Sequence, residues 1–198
     1  MDKNDITAVI LAGGRGTRMG STDKGLQNFN GTPMALHALL RVGSQVGYSM
    51  INANRNLSAY ESFGADVWPD GNYEFAGPLS GFVVGLEHCE TAYLLTVPCD
   101  TPFFPQDLAS RLYIGLQASD ADIAMAAQGG HTQPVFCLIK NELLESLLAF
   151  MKSGGRKIDA WTATQKTVIV HFDEPTDDAR AFANANTLDE LAALERHS

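Results

Sequence analysis

The chain has 198 residues, 45% hydrophobic and 19% charged, enough apolar side chain for a packed core and too much for a disordered protein. Its net charge of −9 argues against a nucleic-acid binder, which needs a basic face to displace counterions from phosphates. The longest apolar runs, such as residues 92–98 and 135–139, fall far short of the ~20 residues of a membrane span, and residues 1–5 lack the layout of a secretion signal, so the expectation is a cytoplasmic protein without membrane contact.

Short apolar runs alternate with stretches of helical period. Residues 6–12 read as a buried strand that ends in glycines. Residues 33–46 read as a helix, with Pro33 in its first turn and Met34, Leu36, Leu39 and Leu40 as a core stripe. Residues 49–54 form a second strand and 66–68 a short third. A helix enters through Gly77-Pro78 and runs to residue 88. Residues 92–97 are a strongly apolar strand, followed by a helix over 105–117, strands at 122–127 and 134–139, and a helix over 142–152. A short helix over 156–164 and a strand over 167–172 come next. The last helix starts at Thr187, where Thr187-Leu188-Asp189-Glu190 fits the capping box, in which Thr and Glu reciprocally satisfy free amides.

No repeat or linker divides the chain, so one domain is expected. The alternation predicts an α/β sandwich with a mainly parallel sheet. Ligands of such sheets bind beyond the carboxyl ends of the strands. Three strands end there in suggestive residues: Gly13-Gly14, Asn52 with Asn54, and Pro98-Cys99-Asp100. If these strands are neighbours, their loops line one crevice.

Glycines 13, 14, 16 and 20 directly follow the first strand, and glycine lets a backbone approach a ligand closely and present amides to phosphate oxygens. Arg15, Arg18 and Lys24 fall in the same stretch, opposed by Asp23. In an acidic protein this marks a specific anion site, although a plain strand-to-helix turn is the blander alternative. It is neither a P-loop nor a dinucleotide fingerprint, because Met19 stands where the third glycine belongs. Asp100 can ligate Mg²⁺, which favours hard oxygen ligands, or can serve as a turn residue before Pro102. Asp70, in Trp68-Pro69-Asp70, can accept from the two donors of the guanine edge or lie on a surface turn, and the loop from there to Gly77-Pro78-Leu79-Ser80-Gly81 is long enough for a lid or wall. Phe182-Ala183-Asn184-Ala185-Asn186-Thr187 reads equally as capping and turn residues or as a binding segment. The five histidines have no metal-ligand spacing, and Cys89, Cys99 and Cys137, without a C-x-x-C pair, are expected as packed core thiols.

In combination these motifs are familiar. L-A-G-G-x-G-x-R-M-G followed by Asp23-Lys24-Gly25 closely resembles the nucleotidyltransferase superfamily, in its short-loop branch. With I-N-A-N-R at 51–55, G-P-L-S-G at 77–81, P-C-D-T-P at 98–102 and F-A-N-A-N-T at 182–187, the chain is similar to the molybdenum cofactor guanylyltransferases from residue 8 to residue 191. The resemblance implies a Rossmann-like three-layer sandwich of the nucleotide-diphospho-sugar transferase type. It implies a single domain over 1–198, with a nucleotide-binding half at about 1–104 and an acceptor-binding half at about 105–198. The implied reaction is Mg²⁺-dependent (Mn²⁺ as an alternative) transfer of GMP from GTP to the terminal phosphate of molybdopterin or Mo-molybdopterin.

Carried over residue by residue, Leu11, Ala12, Gly13 and Gly14 would bind GTP through their backbone, and Lys24, Asn52, Asp70 and Asp100 would contact the nucleotide. Lys24, Arg18 and Asp100 would be catalytic, with Asp100 also the metal ligand. Gly77, Gly81, Arg156, Asn184 and Asn186 would lie on the acceptor side. Transient contacts with the molybdenum insertase and with molybdoenzyme chaperones are implied as well. The chain departs from the family at Ser21, where a glycine is usual, and at Gln133, where histidine is frequent. The rival readings are the same chemistry with CTP or another acceptor, a carrier that only holds the cofactor, and a GTP switch, for which the P-loop is missing.

Overall fold

The computed structural model describes residues 1–13, 23–71, 77–185 and 187–196. β1 (Ile6–Leu11) is buried along nearly its whole length, and a strand without a polar face must lie inside a sheet that is covered on both sides. It pairs in parallel with β4 (Tyr48–Asn52) and with β6 (Tyr93–Pro98). The remaining strands of the seven-stranded sheet are β5 (Asp66–Trp68), β7 (Ile123–Gln128), β8 (His131–Lys140) and β9 (Thr167–His171), in the order β5-β4-β1-β6-β8-β7-β9. Only β8 runs antiparallel to its neighbours, so the expected mainly parallel sheet is what forms. The reversal follows from Gly129 and Gly130, whose φ of 59° and 78° make a two-residue turn that sends the chain straight back.

Alternate side chains of β1 enter two different cores, as a strand's period of two requires. Ala8 and Ile10 pack with Ala35, Ala38 and Val42 of α1 (Met34–Gly43) and with Leu108 and Leu112 of α4 (Leu108–Ala118). On the opposite face Val9 packs with Leu79 and Phe82 of α3 (Pro78–Glu87), Leu147 of α5 (Leu144–Lys152) and Trp161 of α6 (Ile158–Thr162). The three layers are therefore helix, sheet, helix. Among the described residues no helix is long and apolar enough to cross a membrane.

Most sequence boundaries hold to within a few residues, but several points differ. Leu40, expected in the core stripe of α1, is 67% exposed, because the inward face is Met34, Ala35, Ala38, Leu39 and Val42. α2 (Leu57–Glu61) was not anticipated: five residues are too few to display a helical period. A small hairpin of β2 (Asn28–Phe29) and β3 (Thr32–Pro33) was also missed, although its turn, Asn30-Gly31 with φ of 49° and 79°, carries a strong short hairpin signal. β8 begins at His131, three residues before the expected start, and its pairing with β7 jumps from Met125↔Cys137 to Ala126↔Gln133. α7 (Leu188–Glu195) begins at the predicted capping box: Glu190 N–H donates to Thr187 Oγ1 at 3.1 Å and Thr187 N–H to Glu190 Oε2 at 3.1 Å. A third cluster, Phe29, Met34, Ala185 and Leu191, fastens this C-terminal segment to the hairpin.

Candidate functional site

The register of the sheet brings the expected residues to one edge. Leu11 lies level with Asn52 on one side and Pro98 on the other, and Asn52 is level with Trp68. The ladder continues one residue further through Ala12 N–H to Asn52 O (2.9 Å), Ala53 N–H to Trp68 O (3.2 Å) and Cys99 N–H to Leu11 O (3.2 Å). Gly13, Asn54, Asp70 and Asp100 therefore leave the sheet side by side, and the condition for a single crevice is met.

On one side of this edge lies a buried polar network. Asn52 is 3% and Asp70 7% exposed. Asn52 Nδ2 donates to Asp70 Oδ1 (2.8 Å), while Asn54 Nδ2 (2.9 Å) and Ser80 Oγ (2.8 Å) donate to Oδ2. Asp70 N–H donates in turn to Asn54 Oδ1 at 2.8 Å, and Asn54 Nδ2 reaches the Gly13 carbonyl at 3.3 Å. A buried carboxylate requires such partners. Three of its roughly four acceptor positions are thus filled by protein. Oδ1 keeps capacity for one further bond, and among the described residues the carboxylate holds Asn52 and Asn54 in place.

Two glycines leave room for this network. A Cβ on Gly81 would run into Leu11 and lie 2.7 Å from Asn52 Oδ1, and one on Gly13 would lie 2.9 Å from Asn54 Nδ2. Gly81, expected with the acceptor, stands against Leu11 and Asn52, two residues expected on the nucleotide. Gly77 caps the start of α3 at φ 68°, a conformation that favours glycine, and its carbonyl lies 2.7 Å from the Ser80 hydroxyl, sharing with Asp70 the single proton of that group.

Across the edge, Lys24 Nζ lies 3.2 Å from Asp100 Oδ2, with side chains 23% and 18% exposed. The two residues are far apart in sequence, and each is fixed by its own surroundings. Lys24 opens a single helical turn, Lys24–Leu26, directly after the buried Asp23. Asp100 follows β6, its carbonyl accepts from Ala185 N–H at 2.8 Å, and the neighbouring Thr101 hydroxyl donates to Asn184 Oδ1 at 2.6 Å. Asn184, expected on the acceptor side, is thereby held beside the residue that follows Asp100.

Arg156 does not join them. It is exposed, its guanidinium caps the end of α5 through the carbonyls of Met151 (2.9 Å) and Gly155 (2.6 Å), and none of its hydrogen bonds among the described residues reaches Asn184 or Asp100. Gln133 sits where β8 departs from regular pairing, a segment held by the buried Thr96, whose hydroxyl donates to Val135 O at 2.6 Å and accepts from Cys137 N–H at 3.2 Å. Gly14, Arg18 and Asn186, like the expected lid residues 72–76, lie outside the described residues. All three cysteines are buried as expected, and burial, with Asp100 and Asp23 adding, pushes the Cys99 thiol well above its usual range, so it stays protonated.

Sequence reading took Asp23 only as the acid opposing the basic stretch and passed over Asn56 and Tyr60. The Tyr60 hydroxyl donates to Asp23 Oδ1 at 2.6 Å and Asn56 Nδ2 to Oδ2 at 2.9 Å. Nothing local in the sequence signals a contact between residues 23 and 60.

Among the described residues no group of three or more His, Cys, Asp or Glu side chains gathers. Asp100 presents a partly exposed carboxylate, and Mg²⁺ is commonly held by one or two carboxylates together with substrate phosphates and water.

The sheet edge thus joins a lysine–aspartate pair to a buried asparagine–aspartate network. The MobA-like NTP transferase domain matches residues 8–194, so the protein is a nucleotidyltransferase. The molybdenum cofactor guanylyltransferase of Bordetella petrii is 64% identical over 98% of this chain and 99% of its own. That of Acidovorax sp. (strain JS42) is 61% identical over 98% and 97%. The chain belongs to this family, the molybdenum cofactor guanylyltransferases. The fold is shared with the molybdopterin-guanine dinucleotide biosynthesis protein A of Archaeoglobus fulgidus, at a TM-score of 0.78 and 18% identity over 96% of this chain and 97% of that one.

Proposed function

We propose that this chain transfers GMP from GTP to the terminal phosphate of molybdopterin or Mo-molybdopterin, releasing pyrophosphate, in the cytoplasm. Family membership supports guanylyl transfer in molybdenum cofactor synthesis. The observation that carries the finer reading is the Lys24–Asp100 pair, 3.2 Å apart at the carboxyl edge of the sheet, between the Asn52–Asp70 wall and Asn184.

A phosphate monoester already carries about −1.5 to −2 charges at pH 7, so the attacking group needs no general base. The barrier is repulsion between anions and charge building on the leaving group. Lys24 places a cation beside that charge, and Arg18 is proposed to add a second. Asp100 is the residue that would hold Mg²⁺, or Mn²⁺ in its place; when bound, the ion supplies charge neutralisation on the phosphates. Leu11, Ala12, Gly13 and Gly14 offer backbone to the nucleotide, and Asn52 forms the base-side wall with Asp70 behind it. Gly81 belongs with that wall. The acceptor is assigned to Asn184, Asn186, Arg156 and Gly77. This division runs through one continuous sheet, in which β6 of the proposed nucleotide half (about residues 1–104) pairs with β8 of the acceptor half (about 105–198). Transient docking with the molybdenum insertase and molybdoenzyme chaperones would hand the product on.

The test is pyrophosphate release with Mg²⁺ and molybdopterin, comparing GTP, CTP and ATP. Release with GTP alone supports the reading. Release mainly with CTP moves the protein to cytidylyl transfer and overturns the role of the Asn52–Asp70 wall in choosing guanine. Absence of release with any nucleotide, from folded protein, overturns the catalytic assignment.

A further inference from the structure

Lys24 sits between two residues that are both pinned to the same buried tyrosine. On one side, Asp23 is 7% exposed, accepts the Tyr60 hydroxyl at 2.6 Å and the Asn56 amide at 2.9 Å, and has Arg55 Nε at 3.8 Å. On the other, Gly25 lies so close to Tyr60 that a Cβ there would be 3.1 Å from two ring carbons and closer still to the hydroxyl. Tyr60 itself is the fully buried residue of α2, packed into the core. The polar partners of Asp23 come from the loop that leaves β4 (Arg55, Asn56) and from α2 (Tyr60), while the end of β4 and the same loop supply Asn52 and Asn54 to Asp70. Asn56 stands at φ 52°, in the left-handed region that asparagine tolerates.

We infer that Asp23, Tyr60 and Asn56 form a clamp that positions Lys24 for the nucleotide's phosphates and ties it to the same β4–α2 loop that builds the base-side wall. The inference rests on the nucleotidyltransferase reading of Lys24. A lysine on a flexible four-carbon stem acts as a point charge whose placement depends on its backbone. Here that backbone is fixed from both sides: by a hydrogen-bonded carboxylate before it and by a close-packed glycine after it. Asp23, Tyr60 and Asn56 are positioning residues, acting through Lys24 and not on substrate.

The experiment is a double-mutant cycle, read as kcat/KM for GTP by pyrophosphate release, with the thermal midpoint of each variant recorded. Tyr60→Phe keeps the ring and removes the hydroxyl; Asn56→Gly removes the amide that donates to Asp23 Oδ2, at an exposed position whose φ suits glycine. In the native background Tyr60→Phe is expected to lower kcat/KM about tenfold and Asn56→Gly about threefold, the scale of a small misplacement of a catalytic group. In a Lys24→Ala background each is expected to cost less than about twofold, because residues that act through one group are not additive. Equal losses in both backgrounds, or no loss in either, overturn the clamp alone. Native-like kcat/KM for Lys24→Ala itself overturns the proposed role of Lys24, and the clamp with it.

Discussion

At the scale of single residues the site depends on where charge is placed and what surrounds it. Asp100 is partly exposed and paired to Lys24, so it is available to a ligand as well as to the protein. Replacing it by alanine should lower turnover by more than about 100-fold, the scale of losing one strong electrostatic stabiliser, with little effect on thermal stability. Asp70 has the opposite balance. It is buried and accepts three hydrogen bonds from Asn52, Asn54 and Ser80. Asp70→Asn turns one acceptor oxygen into a donor facing donors, so urea unfolding should show a loss of about 1–3 kcal/mol, alongside a raised KM for GTP. Unchanged stability in that variant would contradict the network. Gly81→Ala should also raise the KM for GTP, because the added Cβ would press on Asn52 Oδ1 and Leu11. A selective effect on the acceptor's KM would return Gly81 to the acceptor side.

Among the elements, the C-terminal segment and the β2–β3 hairpin are joined by the cluster of Phe29, Met34, Ala185 and Leu191. Asn30 N–H also donates to Glu195 at 2.8 Å. The same segment donates from Ala185 N–H to the Asp100 carbonyl, so α7 supports the loop on which Asp100 sits. The helix starts on a complete capping box, and Thr187→Ala should cost about 1 kcal/mol, measurable as a lower urea midpoint. The opposite helical layer depends on Trp161, fully buried and packed edge-on to Phe82, and Trp161→Ala should cost about 3–5 kcal/mol.

For the whole molecule, stability should depend on pH through His37. Its Nδ1 is buried without a hydrogen-bond partner, and its pKa is lowered first by burial and then by the nearby Arg41. The unfolded chain therefore takes up a proton near pH 6.5 that the folded chain resists. Stability from this residue is complete above that pH and declines as pH falls below it toward the folded value. Asp177 behaves differently: the Arg111 hydrogen bond holds it below the usual carboxylate range, so its contribution persists until more acidic pH. Urea midpoints of the native protein should thus fall between pH 7 and about pH 5 more steeply than those of His37→Leu. Parallel slopes would remove His37 as the cause.

The sequence by itself determined most strands and helices and the sandwich class, because hydrophobic period and a capping box are local signals that tertiary packing did not override. It also determined the residue types at the crevice, since Gly13, Asn52, Asp70 and Asp100 follow strand ends wherever those strands lie. It did not reveal α2, too short for a period, or the outward turn of Leu40, which depends on how α1 is rotated against the sheet. Only the tertiary structure decided which strand ends are neighbours, that Lys24 meets Asp100, and that the acceptor positions of Asp70 are largely taken by asparagines. It alone joined Asp23 to Tyr60. The physical reason is common to all of these: a hydrogen bond or ion pair between distant residues is set by strand order and register, and these are fixed by burying apolar surface over the whole chain, not by the residues that finally make the contact.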